Sequence, residues 1–133
     1  IKFFDDAIST TPESTIEAIK TLKNIGTIFL GGQDRGYDFS DLRRALERNK
    51  IKNVVLFPDT GERIFENLDI FDNVLKTNSM RDAVKFAYVH TPKDSVCLLS
   101  TASPSYSVWR NFEEKGEIFQ KEVKKQARPS SYK

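Results

Sequence analysis

The clearest indication of this chain's fold class is the run TIFLGG at residues 27–32. Its first four residues are β-branched, aromatic or aliphatic, as in a buried strand, and the paired glycines end it. A helical period follows, in which Phe39, Leu42 and Leu46 recur on one face, and then a second apolar run, Asn53–Phe57. A strand, a helix and a strand in this order favour two parallel strands joined by a crossover helix.

The same alternation extends over the rest of the chain. Further strands are predicted at residues 1–4, 73–75 and 95–99, and a short helix at residues 60–68. Longer helices are predicted from apolar residues at helical spacing, namely Ile16, Ile19 and Leu22, then Met80, Ala83, Val84 and Ala87, and last Trp109, Phe112, Gly116, Phe119 and Val123. We therefore predict an α/β fold, a Rossmann-like three-layer sandwich whose mostly parallel sheet has helices on both faces.

Length and composition indicate one globular domain. The 133 residues are 38% hydrophobic and 30% charged, and no apolar run approaches the roughly 20 residues of a membrane-spanning helix. We assign residues 1–126 to the domain and residues 127–133 to a flexible tail. The net charge of +2 is too small to indicate a nucleic-acid partner. Cys97 has no disulfide partner, which is typical of a reducing compartment, so we expect a cytoplasmic protein without membrane association.

The sequence contains no recognisable catalytic or metal centre. His90 is the only histidine, and it stands at the end of a helical pattern, where no nucleophile or carboxylate is placed to use it. One histidine and one cysteine do not make a metal site. We therefore predict that this chain has no catalytic residue and no metal ligand.

Three polar loops follow predicted strands, at residues 5–14, 31–40 and 100–105. In open α/β sheets, ligands bind at the carboxyl ends of the strands, where loops and helix N-termini converge. These loops are also the most unusual polar stretches of the chain. Their position therefore predicts a binding site at that end of the sheet.

The first loop has features that a helix start alone does not explain. Thr11 and Pro12 suit the N-cap and the first position of a helix. A helix start does not require two adjacent carboxylates at a strand end, Asp5 and Asp6. Nor does it require the run of hydroxyl residues that begins at Ser9. The carboxylates could accept hydrogen bonds from a ribose, and the hydroxyls could bind phosphate or carboxylate oxygens.

The other two loops suit anions. Arg35 follows the paired glycines, and its planar fork matches a carboxylate with two parallel hydrogen bonds, although it could equally pair with Asp34 or Asp38. Ser105 precedes the last helix, where free backbone N–H groups bind anions, although it could be only an N-cap. The loop with the paired glycines lacks the glycine and lysine spacing of a nucleotide P-loop.

The three loops, in this order, resemble the C-terminal domain of the Mur ligases, over residues 3 to about 121. The family pattern N-D-S-x-x-T-x-P-x-S-T stands here as DDAISTTPEST at residues 5–15, and G-G-x-x-K/R-G-x-D-F-S as GGQDRGYDFS at residues 31–40. The patterns L-L-S-P-A-x-x-S and F-K-N-F-E-x-R-G stand as LLSTASPS at residues 98–105 and WRNFEEKG at residues 109–116. Within the family, the resemblance is closest to the members that add D-glutamate.

The resemblance implies roles for individual residues. Asp6 matches the aspartate that contacts the nucleotide ribose. Thr10 and Arg35 match positions that hold the side-chain carboxylate of D-glutamate. Ser105 and the backbone of Phe112 match positions that hold its α-carboxylate.

The chain departs from the family pattern at several positions. Ile8 stands where some members have a lysine that contacts nucleotide and substrate, so nucleotide binding would depend more on other domains. Asp5 replaces the usual asparagine, and Thr101 replaces the usual proline. Arg35, in place of the lysine of some members, keeps the charge and adds a fork.

The resemblance also implies an ATP-dependent, amide-forming ligase of peptidoglycan synthesis, which joins D-glutamate to UDP-N-acetylmuramoyl-L-alanine. ATP and Mg²⁺ would be held mainly by a central domain, which would be a partner of this chain together with an N-terminal domain. This domain would dock D-glutamate and close over ATP, and alone it is expected to be inactive. Two alternatives stay open: a sister amide ligase, such as another Mur ligase or a folylpolyglutamate synthase, or a non-catalytic α/β binding module.

Overall fold

The computed structural model describes residues 1–58, 60, 70–103 and 109–127. Within these ranges the strands are β1 (Lys2–Asp5), β2 (Ile25–Gly31), β3 (Asn53–Phe57), β4 (Asn73–Lys76) and β5 (Val96–Leu99). The helices are α1 (Pro12–Thr21), α2 (Ser40–Arg48), α3 (Met80–His90) and α4 (Phe112–Ala127). All five predicted strands are confirmed. The short helix predicted at residues 60–68 lies outside the described residues, except for Thr60.

The five strands form one sheet in the order β1-β5-β2-β3-β4, and each neighbouring pair is parallel. The prediction of a mostly parallel sheet is therefore confirmed. Because the last strand inserts between the first and the second, the carboxyl ends of β1, β5 and β2 lie side by side. Leu99, for example, pairs with Asp5 on one side and with Phe29 on the other.

Helices cover both faces of the sheet, as the apolar strands predict. Ile28 and Leu30 pack in one apolar cluster with residues of α1 and α2, whereas Phe29 packs in a second cluster with residues of α3 and α4. This division follows from the alternation of side chains along a strand. Each fully buried Ile, Leu or Phe stabilises the fold by about 1.5–3 kcal/mol. The predicted three-layer sandwich is confirmed.

The start of α1 is fixed as the sequence predicts. Oγ1 of Thr11 accepts a hydrogen bond from the backbone N–H of Ser14 at 3.2 Å, and Oγ of Ser14 accepts one from the N–H of Thr11 at 3.3 Å. Pro12 occupies the first helical position, where no N–H is required. The cap gives the loop after β1 a defined end, directly after Thr10.

The end of α4 marks the limit of the described chain. The helix continues to Ala127, and residues 128–133 lie outside the described residues, so the flexible tail stays a prediction. Lys124 and Lys125 lie in its last turn, where cations interact favourably with the helix dipole. None of the helices described above is both long and apolar enough to cross a membrane.

Candidate functional site

The three polar loops converge at one end of the sheet. β1 and β2 lead into helices on one face, whereas β5, which lies between them, leads into α4 on the other. Such a switch point is where open α/β sheets bind ligands. The loop after β5 is tied to both neighbours, since the N–H of Asp6 donates to the carbonyl of Leu99 at 2.8 Å and the N–H of Gly31 donates to the carbonyl of Thr101 at 2.9 Å.

Asp6 is the centre of a cluster of hydroxyl groups. Its Oδ2 accepts hydrogen bonds from Oγ of Ser9 at 2.5 Å and from Oγ of Ser100 at 2.7 Å. Oγ of Ser100 lies 2.9 Å from Oγ1 of Thr15, and both of these residues are fully buried. Oδ1 of Asp6 has no hydrogen bond to any described residue, so it is able to accept one from a ligand hydroxyl.

Asp5 holds a helix in place. Its Oδ1 accepts a hydrogen bond from the N–H of Ala7 at 3.0 Å, and its Oδ2 accepts one from Nε2 of Gln120 at 2.5 Å. Gly116 of α4 lies directly against this carboxylate, because a Cβ atom there would come within 2.7 Å of Oδ2. The two adjacent carboxylates therefore differ in role: Asp5 docks α4, and Asp6 organises the loops.

Lys115 is a candidate functional residue that the sequence analysis missed. Its side chain is fully buried, and its Nζ donates a hydrogen bond to Oγ1 of Thr101 at 2.5 Å. Burial lowers the pKa of Lys115 to about 8, against the opposing effect of the Asp5 and Asp6 carboxylates. Its position was a usable signal, because it lies four residues before Phe119, within the apolar stripe of α4.

The turn that receives this hydrogen bond is buried and strained. Thr101, Ala102 and Ser103 are inaccessible to solvent, and Ala102 has a φ of +63°, in the left-handed region that favours glycine. Oγ of Ser103 lies 3.0 Å from Oγ1 of Thr60, which accepts a hydrogen bond from the N–H of Gly32 at 3.1 Å. Backbone strain of this kind collects at binding sites, where the surrounding contacts hold it in place.

Arg35 is exposed on the loop after β2. Its Nε donates a hydrogen bond to Oε1 of Gln33 at 2.9 Å. The carboxylates of Asp34 and Asp38 accept hydrogen bonds from backbone N–H groups two residues later, at 2.8 and 2.9 Å. These carboxylates therefore shape the loop that presents the Arg35 guanidinium to solvent.

The N-terminus of α4 is capped by Asn111, another residue that the sequence analysis missed. Its Oδ1 accepts a hydrogen bond from the N–H of Glu114 at 2.8 Å. Phe112 follows as the first residue of the helix, with 37% of its surface exposed. Its backbone N–H is one of those that a helix leaves without an internal partner, so it suits an anion. Phe112 and Ile8 also line a cleft of about 330 Å³.

Four of the five predicted site residues lie in the described part of the chain. Asp6 and the half-buried Thr10 lie on the loop after β1, Arg35 on the loop after β2, and Phe112 at the start of α4. Ser105 lies outside the described residues. That these residues share one ligand stays a prediction. Among the residues described, no group of three or more His, Cys, Asp or Glu is placed to hold a metal ion.

The chain is similar to curated ligases, although no protein-family model matches it. A UDP-N-acetylmuramoylalanine–D-glutamate ligase of Thermoanaerobacter sp. (strain X514) is 34% identical over 127 residues, which cover 92% of this chain and 28% of the relative. A UDP-N-acetylmuramoyl-L-alanine–L-glutamate ligase of Salinispora tropica is 38% identical over 127 residues, covering 93% of this chain and 28% of the relative. The chain thus spans less than a third of the length of these relatives.

A solved structure has a similar fold. The MurF ligase of Thermotoga maritima, in complex with ADP, superposes with a TM-score of 0.56 at 20% sequence identity. The match covers 93% of this chain and 29% of that one. At this level of identity the likeness concerns the fold alone, and it agrees with the α/β sandwich described above.

Proposed function

This chain belongs to the Mur ligase family and corresponds to its C-terminal domain, and on that premise we propose that it docks the amino acid in an ATP-dependent ligase of peptidoglycan synthesis. The reaction would join D-glutamate to UDP-N-acetylmuramoyl-L-alanine through an amide bond, in the cytoplasm. The names of the relatives support this activity, and one of them is named for L-glutamate. The two enantiomers carry the same two carboxylates, so the same docking groups suit either one.

The convergence of the loops after β1, β5 and β2 is the observation that carries the proposal. A dicarboxylic amino acid needs two anion-binding groups that face one cleft. Arg35 offers a guanidinium fork to one carboxylate. The start of α4 at Phe112 offers a backbone N–H and the positive end of the helix dipole to the other. Thr10 and Ser105 would add hydroxyl donors from the adjoining loops.

Asp6 would face the nucleotide in the complete enzyme. Its Oδ1 is able to accept a hydrogen bond from a ribose hydroxyl while Oδ2 keeps its bonds to Ser9 and Ser100. When bound, ATP with Mg²⁺ activates the acceptor carboxylate by phosphorylation, and both would be held mainly by the central domain. This domain would orient the amino group of glutamate towards that carboxylate and exclude water from it.

The test is ATP-dependent phosphate release by the full-length protein supplied with UDP-N-acetylmuramoyl-L-alanine. We expect turnover with D-glutamate, and none from residues 1–133 alone. Turnover with L-glutamate or with another amino acid in its place would indicate a sister ligase. Phosphate release by residues 1–133 alone would contradict the proposed division of labour between domains. No turnover with any amino acid would favour a non-catalytic binding module.

A further inference from the structure

The interior of the site contains a cation that substrate docking does not require. Lys115 is fully buried between the end of β1 and the turn after β5, and its Nζ donates to Oγ1 of Thr101. A fully buried lysine is rare in proteins, because removing an ammonium from water costs several kcal/mol unless it is paired. A methionine or leucine would fill the same space at less cost, so the ammonium itself needs an explanation.

The hydrogen bonds of Thr101 show which group is the donor in its contact with Lys115. An ammonium can only donate, so Oγ1 of Thr101 accepts from Lys115 and its own hydrogen is directed to the carbonyl of Ser103, at 3.2 Å. Thr101 and Ser103 flank Ala102, the residue with the positive φ. The carbonyl of Thr101 also accepts from the N–H of Gly31 at the end of β2. Lys115 therefore acts on the strained turn and, through it, on two of the three loops.

The charged groups that face Lys115 come from the first loop. Among the described residues, the carboxylates of Asp5 and Asp6 are the ones that act on its ammonium. On its own helix, the neighbouring Glu114 is bound to Arg110 at the surface, at 2.6 Å. Lys115 is thus surrounded by the β1 end, the β5 turn and the start of α4, and the two carboxylates offset part of the cost of burying its charge.

Two departures from the family pattern contact each other here. Lys115 stands where the pattern has arginine, and Thr101 stands where it has proline. A proline side chain cannot accept a hydrogen bond, and an arginine does not lose its proton in the accessible pH range. In this chain the two positions instead carry a hydroxyl and an amine that contact each other.

We propose that Lys115 is a positioning residue of this site: by donating to the Thr101 hydroxyl it holds the strained turn at Thr101–Ser103, and with it the geometry that binds the substrate. The effect on activity rests on the proposed ligase function, whereas the effect on the turn does not. Burial lowers the pKa of Lys115 to about 8, and because a neutral amine still donates a hydrogen bond, the contact with Thr101 should persist when the charge is lost.

The kinetic test uses the full-length enzyme, with Lys115→Met to remove the hydrogen-bond donor and Lys115→Arg to keep one. Lys115→Met should raise KM for glutamate about tenfold or more, with a smaller change in kcat, and Lys115→Arg should restore most of the loss. Thr101→Val should raise KM by a similar factor, and the double variant should be no worse than either single variant, because both changes remove the same contact. If Lys115→Met keeps the wild-type KM, or if the two effects multiply in the double variant, the proposal is wrong.

A second measurement separates this proposal from the ligase function. The N–H of Gly31 donates to the carbonyl of Thr101, so its rate of hydrogen exchange in the ligand-free protein reports on the turn. Lys115→Met and Thr101→Val should each speed this exchange, whereas the N–H of Thr77, which donates to the carbonyl of Leu56, should exchange as in the wild type. If the exchange at Gly31 is unchanged in both variants, the turn does not depend on Lys115 and the proposal is wrong. This outcome does not depend on which amino acid the enzyme uses.

Discussion

The hydroxyl of Ser100 donates a hydrogen bond to the carboxylate of Asp6 at 2.7 Å, across 94 positions of the chain. This contact links the first loop to the loop after β5, and Ser100 is fully buried. Asp6→Ala should therefore lower the free energy of unfolding by about 1–3 kcal/mol, because a buried hydroxyl loses its acceptor. Urea denaturation measures the change. Glu17→Ala is the control, since its exposed pair with Lys20 should contribute less than about 1 kcal/mol.

The backbone at the end of β2 requires a glycine at position 31. Its φ is +113°, and a Cβ atom there would lie 2.0 Å from the carbonyl oxygen of Phe57. Because the obstacle is backbone in a central strand, Gly31→Ala should cost about 4 kcal/mol or prevent folding. Gly36 is the matched control: its φ is +76° but nothing lies within 4 Å of its Cβ position. Gly36→Ala should cost only about 1 kcal/mol. Equal losses in the two variants would show that backbone conformation, not the contact with Phe57, sets the cost.

The elements of the fold were predictable because their signals are local. The composition of residues 27–32 predicts a strand that ends at the paired glycines. The spacing of Met80, Ala83 and Val84 predicts a helix. The position of β5 between β1 and β2 was not predictable, since it depends on pairing between segments that are far apart in the chain. That the three loops lie at one end of the sheet was predictable, because it holds for any order of parallel strands.

The interior of the site was less predictable than its loops. Asp6 and Arg35 stand out as polar residues at strand ends, whereas Lys115 stands on a helix, where a lysine is normally solvated. Its place within the apolar stripe of α4 was a signal of burial, but the contact with Thr101 and the packing of α4 against β1 are not visible in a helical period. For the same reason the contact of Asp5 with α4 could not be predicted from the sequence.

The buried ammonium of Lys115 predicts an unusual dependence of stability on pH. The unfolded chain keeps the lysine proton up to a pKa of 10.5, whereas the folded chain releases it near pH 8. Between these values the unfolded state binds more protons, so this residue makes the free energy of unfolding rise with pH, by about 3 kcal/mol in full. The contribution is present above pH 10.5 and is lost as the pH falls through 8.

Two other groups, the buried Cys97 and the half-buried Tyr88, act in the opposite direction. Burial raises the pKa of the Cys97 thiol. The pKa of Tyr88 is also raised, first by burial and then by the nearby Cys97. The contributions of both groups to stability are therefore lost as the pH rises. The measurement is therefore the difference between wild type and Lys115→Met in urea denaturation at pH 7.5 and pH 9.5. The free energy of unfolding of the wild type should rise relative to that of Lys115→Met as the pH rises. A constant difference would show that Lys115 is not perturbed.

Arg35 provides the sharpest test of substrate docking, because it is exposed and its replacement should not affect folding. In the full-length enzyme, Arg35→Met should raise KM for glutamate about a hundredfold, as expected when a carboxylate loses a charged, bidentate partner. Arg35→Lys should retain the charge and lose the fork, with a rise of about tenfold. Arg48→Met is the matched control, because the exposed Arg48 ends α2 shortly before the start of β3, at the end of the strands opposite to the loops. KM for ATP should stay constant in all three variants. If Arg35→Met and Arg48→Met had equal KM values for glutamate, Arg35 would not contact the amino acid, and the carboxylate would have to be bound by other groups of the converging loops.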